Sequence, residues 1–138
     1  MHSIVPIRRD RMAVAGRILS RLVILALAVD AAGKLFAPEA MIANSPPLGL
    51  PANPAFHRVL GGILAICLAL YAWPRTAFLG AILLTGYLGG AVATHLRVGS
   101  PLWGFTLFGV YLGIVVWGGL YLRNATLRAL VAGRSAAA

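Results

Sequence analysis

Charge is scarce in this chain, and acid most of all. Only 11% of its 138 residues are charged, and Asp10, Asp30 and Glu39 are the three acids against twelve Lys and Arg. A typical soluble domain carries roughly 25% charged residues. With 60% of the residues hydrophobic, polar groups cannot cover the apolar surface in water, so the bilayer is the expected solvent. The net charge of +9 would point to nucleic acid in a soluble protein. Here the basic residues flank apolar runs, where they set topology and meet anionic lipid, and no nucleic-acid binding is expected. Cysteine is reduced to Cys67, in the middle of LAICLAL. One thiol makes neither an internal disulfide nor a CxxC exchange pair, and it reads as a small apolar packing residue. Three histidines, with His2 in the tail and no carboxylate beside His57 or His95, argue against a metal or haem site. Neither a Walker loop nor a GxSxG elbow is present.

Proline is missing from four long stretches, 18–37, 56–73, 76–96 and 102–122. All eight prolines lie outside them, at Pro6, Pro38, Pro46, Pro47, Pro51, Pro54, Pro74 and Pro101. Each stretch has about the 20 residues that cross ~30 Å of hydrocarbon. The expected fold is all-α, an integral membrane four-helix bundle over residues 18–122. Residues 1–17 form a basic cytoplasmic tail without a long apolar period, either frayed or a short amphipathic piece lying on the headgroups, and residues 123–138 a basic and then Ala-rich tail. Trp73-Pro74-Arg75 and Val98-Gly99-Ser100-Pro101 allow only tight turns, making spans two to four an antiparallel series. The first span imitates a cleaved leader, but Asp30 and Lys34 stand where cleavage would fall and apolar character runs on to Phe36, so it is expected to be retained.

With four spans, both termini and the Arg75 turn share a side. That side collects nine basic residues (Arg8, Arg9, Arg11, Arg17, Arg21, Arg75, Arg123, Arg128, Arg134) and the other three (Lys34, Arg58, Arg97). The imbalance places both termini in the cytoplasm. Trp73, Trp117 and Tyr121 would then form the inner aromatic belt, with Phe56 and Trp103 at the outer boundary. Gly86 and Gly90, followed by Ala93, and Gly109 and Gly113 have the small-residue spacing that lets membrane helices approach closely, within one chain or across a homo-oligomer. Residues 38–55, PEAMIANSPPLGLPANPA, are too long for a turn and too rich in proline for a helix across their second half. They would rest on the outer interface or form a lid over the bundle's mouth.

The first span sets the chemical question. ILSRLVILALAVDAAGKLFA carries Asp30 and Lys34 at i, i+4, the favourable order for a helical pair, and at 1.5 Å per residue they fall ~10 and ~5 Å below its outer end. An unpaired carboxylate at that depth is costly. The second span begins at Phe56-His57-Arg58 and the third ends at Thr94-His95-Leu96-Arg97, so three separate stretches bring polar groups to one end. Tyr87, Ala91 and Thr94 share a face beside His95, a hydroxyl-bearing stripe suited to a flat lipophile with a polar head, such as a quinone. Asp30, Lys34, His57, Arg58, Tyr87, Thr94, His95 and Arg97 are the candidate ligand-binding residues. A structural pair that fixes helix register, snorkelling cations and hydroxyls bonded to their own backbone account for the same residues.

The segments DAAGKLF, GAILLTGYLGGAVATHLRVGSP and WGFTLFGVYLGIVVWGGLYLRNATLRAL resemble the DoxX-like family of small bacterial four-helix membrane proteins over about residues 16–131. The resemblance implies a four-helix bundle in the bacterial cytoplasmic (inner) membrane. It also implies association with membrane redox-complex subunits, since some relatives resemble parts of a thiosulfate–quinone oxidoreductase, while animal relatives look like assembly or cargo factors. Lys34, His95 and Arg97 are the residues that match by position, and the single Cys67 speaks against thiol exchange. Three functions follow: a redox-associated subunit binding a quinone or similar lipophile near the outer face, a non-enzymatic anchor or assembly factor with a structural polar cluster, and a small oligomeric transporter.

Overall fold

Four proline-free runs become four long helices in a computed structural model that describes residues 5–44 and 47–133. Helix α1 is Val5–Phe36, α2 Pro38–Asn44, α3 Pro54–Ala72, α4 Ala77–Arg97, α5 Phe108–Arg123 and α6 Ala125–Val131, with a π-helical turn, Leu102–Thr106, leading into α5. There is no strand among the described residues. Arg11–Phe36, Pro54–Ala72, Ala77–Arg97 and Leu102–Arg123 are long and apolar enough to cross a membrane. Their outward side chains, among them Leu25, Val29, Ile66 and Ile114, are exposed aliphatics, as a surface that meets lipid requires. His2, Pro46 and Arg134 lie outside the described residues.

Helix α1 packs on α3 and α5, and α4 packs on the same two, so α1 and α4 stand on one diagonal of the bundle and α3 and α5 on the other. Glycines mark where the neighbours touch. At the end carrying the α3–α4 turn, called here the basic end, a Cβ on Gly16 would lie 2.5 Å from the Arg123 amide and one on Gly119 3.0 Å from the Ser20 amide, so α1 meets α5 there. In the first turn of α4, a Cβ on Gly80 would lie 2.2 Å from the Tyr71 amide, fixing α3 against α4. At the opposite, loop end the close pairs change. Gly61 of α3 sits against Lys34 Cβ and the Ala31 carbonyl of α1, and Gly109 of α5 against Val92 and the Leu88 carbonyl of α4.

Several local features differ from the reading of the sequence. Helix α1 begins at Val5, well inside the stretch read as a tail, because Gly16 and Ser20 are buried against α5 and hold that turn in the bundle. Arg-rich sequence is itself a good helix former. The first half of the 38–55 connection is helical: Pro38 opens α2, where its missing N–H costs nothing, and is itself fully buried. The second half is irregular. Helix α6 is capped by Asn124, whose side chain accepts from the Leu127 amide at 3.0 Å, a standard helix-start device. Of the glycine pairs, Gly109 is spent within the chain, whereas Gly86, Gly90 and Gly113 have nothing within 4 Å of a Cβ. The spacing alone could not separate these two uses.

Candidate functional site

The change of partners along the bundle leaves a cleft. At the loop end α1 holds to α3 and α4 to α5, and between the two pairs lies a cavity of about 970 Å³. That is at the upper end of the ~300–1,000 Å³ typical of small-molecule sites. Asp30 and Lys34 of α1, His57 of α3, and Tyr87, Thr94 and His95 of α4 all line it. Arg58 and Arg97 do not. Arg58 is exposed and donates from Nε to the Leu35 carbonyl at 3.4 Å, holding α3 to the end of α1. Arg97 donates to the Leu48 carbonyl at 2.7 Å and so ties the 47–52 segment to the end of α4.

Lys34 and Asp30 form an ion pair within one turn of α1. The ammonium side chain keeps 17% exposure and the carboxylate 34%, so the pair is neutral as a unit but open on one side rather than sealed in the core. Gly61 lets α3 press on the Lys34 stem and so fixes where the ammonium stands. Across the diagonal, Tyr87 lines the same cavity as Asp30. No hydrogen bond to the Tyr87 hydroxyl is made among the described residues.

The two histidines are held from outside. His57 Nδ1 lies 3.2 Å from the Asn53 carbonyl. A carbonyl only accepts, so Nδ1 carries the proton and Nε2 is left for the cavity. Asn53 is fixed in turn as the N-cap of α3, its side chain accepting from the Ala55 amide at 2.8 Å. His95 Nδ1 lies 3.0 Å from Ser100 Oγ. Ser100 belongs to the turn that ends α4: its amide donates to the His95 carbonyl and the Gly99 amide to the Leu96 carbonyl, with Gly99 at φ +68°. This is the double-bonded glycine stop that closes many helices. The π-helical turn then lays Phe105 over His95, ring centroids 6.0 Å apart and planes at 22°. Thr94 spends its proton on its own helix, donating to the Gly90 carbonyl at 2.8 Å, and offers the cavity an oxygen only.

The rest of the wall is apolar: Phe56 and Leu60 from α3, Phe105, Phe108 and Leu112 from the fourth span, and Leu48 and Leu50 from the segment across the loop end. Met41 reaches in from α2, its sulfur seated on Gly33. The sequence signalled the polar members through their rarity in apolar spans. It gave no signal for the aromatic ones, because the π-helical turn that aims Phe105 has no distinctive pattern.

The DoxX-like family model matches residues 18–119, which takes in most of all four spans. The chain belongs to the DoxX-like family. With its four apolar helices, this makes it a multi-pass membrane protein. No curated protein and no solved structure matches the chain. The matched region of this DoxX-like protein contains every cavity-lining polar residue named above, whereas α6 lies beyond it.

Proposed function

We propose that this DoxX-like protein is a redox-associated subunit of the bacterial cytoplasmic membrane that binds a quinone or similar lipophile in the loop-end cavity, with both termini in the cytoplasm. The observation that carries the reading is the combination in one cleft of a part-exposed acid–base pair, two histidines held from outside by Asn53 and Ser100, and aromatic walls. The cavity's volume and donor set fit a flat, weakly polar head group. His95, with Nδ1 accepting from the Ser100 hydroxyl, would donate from Nε2 to one of its oxygens. Tyr87 would donate a further hydrogen bond, and His57 Nε2 would accept from a hydroxyl of the reduced head group. Lys34 and Asp30 would hold or pass a proton beside it. A bound quinone would supply two-electron carrier chemistry that this chain's side chains lack. Arg97 and Arg58 act at the rim, where they fasten the connection and the helix ends. The orientation rests on the excess of basic residues at the end bearing Arg11, Arg17, Arg21, Arg75, Arg123 and Arg128.

A second reading is an anchor or assembly factor. It is favoured by the open glycine face, since Gly86, Gly89 and Gly90 of α4 and Gly113 of α5 have no neighbour for a Cβ within 4 Å, which suits a close helix contact with a second copy or a partner subunit. Purification in mild detergent, followed by mass spectrometry of extracted lipids and of co-purifying proteins, separates the two. A lipophile present at near one per chain and lost in Asp30→Asn and His95→Ala is the expected result. A stoichiometric partner protein with no retained lipophile would favour the assembly reading instead.

A further inference from the structure

We propose that the cavity is entered sideways from the hydrocarbon, between α1 and α5, and that its occupant is a membrane-borne amphiphile whose chain lies in that gap while its head reaches the Asp30–Lys34 pair. The inference deepens the lipophile-site reading by naming the route and the two-part character of the ligand.

The close contacts between α1 and α5 are at the basic end, where Gly16 and Gly119 bring backbone to backbone. The same stripes continue to the loop end. On α1 the series Ser20, Val23, Ala26, Asp30 follows helical spacing, and on α5 the series Gly119, Val115, Leu112, Phe108 does so in reverse. At the basic end these stripes touch. At the loop end Ala26, Asp30, Leu112 and Phe108 line the cavity, and Ala26 and Phe108 are also exposed on the outside. A residue that both lines a cavity and faces outward marks its mouth. This mouth is flanked by a methyl and an aromatic ring within the spans, so what passes there is hydrocarbon. Gly90 of α4 also lines the cavity and is exposed, but the α3–α4 gap is crossed at its loop end by the 47–52 segment, which runs into α3 and is tied to Arg97 of α4 through the Leu48 carbonyl. Gly90→Leu therefore tests whether that side admits chain.

The experiment places a single tryptophan in the cavity by Leu60→Trp, in a chain whose Trp73, Trp103 and Trp117 are replaced by Phe, reconstituted in vesicles of phosphatidylcholine with brominated acyl chains. Bromine quenches tryptophan only at short range, so quenching at the cavity as strong as at a lipid-facing site, and relieved by plugging the mouth, reports lipid chain inside it. Val29→Trp in the same background supplies the value for a lipid-facing site, and Tyr87→Trp is a second cavity reporter should Leu60→Trp fail to fold. The expected result is quenching at the cavity comparable to that at position 29, most of it lost when Ala26→Phe plugs the α1–α5 mouth and retained with Gly90→Leu on the α3–α4 side. An unquenched cavity reporter overturns the proposal, as does quenching relieved by Gly90→Leu and not by Ala26→Phe. Titrating decylubiquinone into unbrominated vesicles of the same variant tests the quinone reading separately: lipid quenching without quinone binding keeps the portal and removes the quinone.

Discussion

At the basic end, Ser20 Oγ, the Tyr71 hydroxyl and the Val116 carbonyl are joined by bonds of 3.0 and 2.7 Å that tie α1, α3 and α5 together. Arg123 covers the arrangement, donating to the Tyr71 carbonyl at 2.9 Å with its guanidinium 4.9 Å from the Tyr71 ring. At the loop end Tyr87 has no hydrogen-bond partner among the described residues and the ion pair is part exposed. Both ends hold polar side chains within apolar helices. One closes Ser20 and Tyr71 into a clasp between helices, with Arg123 Nε buried over it without a hydrogen-bond partner among the described residues. The other has its polar groups held from behind, by Asn53 and Ser100, so that their free atoms face a cleft. Polar groups within a membrane are costly, so they are satisfied internally or reserved for something that satisfies them. The contrast is what our proposal rests on, with one end serving stability and the other binding.

That assignment breaks most visibly at glycine. Gly80→Leu would drive a side chain into the Tyr71 backbone, and because backbone cannot yield it should cost more than about 3 kcal/mol, read as loss of monodisperse protein after mild-detergent extraction. Gly90→Leu at the loop end meets open space and should change stability by less than about 0.5 kcal/mol. Comparable losses at the two positions would end the division.

Leucines give the next contrast. Leu64 is fully buried in α3 and Leu60, one turn earlier, lines the cavity. Leu64→Ala should cost about 2–5 kcal/mol and Leu60→Ala well under half of that, measured as the shift in thermal unfolding in detergent. The acid–base pair tests the comparison from the polar side. Lys34→Ala leaves a carboxylate unpaired and should destabilise by about 1–3 kcal/mol, reduced from the fully buried case because the pair is part exposed, while Lys34→Ala with Asp30→Ala should recover most of the loss. Tyr71→Phe removes the clasp and should cost about 1 kcal/mol, the usual scale of a hydrogen bond between membrane helices.

Much of this was legible in residue types. Proline placement and apolar length gave the four spans, and the rarity of Asp30, Lys34, His57 and His95 in such surroundings drew attention to one end. What stayed hidden was pairing. Gly109 and Gly113 have the same spacing partner for partner, yet only Gly109 packs, because which helix stands opposite is decided by the whole bundle. Ser20 and Tyr71 are as unusual in their spans as Thr94 is, but they are 51 positions apart and only the fold brings them together. Arg58 and Arg97 look like site cations in sequence. Their long stems carry the charge past the cleft to backbone carbonyls, so they fasten its rim.

The central claim, that the loop-end cleft is a binding site and the basic end is scaffold, is tested most directly by titrating decylubiquinone into the purified protein and following tryptophan fluorescence. The account predicts saturable binding that weakens at least about tenfold, a loss of about 1.4 kcal/mol, in Asp30→Asn with His95→Ala, and is unchanged in Tyr71→Phe. Equal affinity in all three proteins would contradict it.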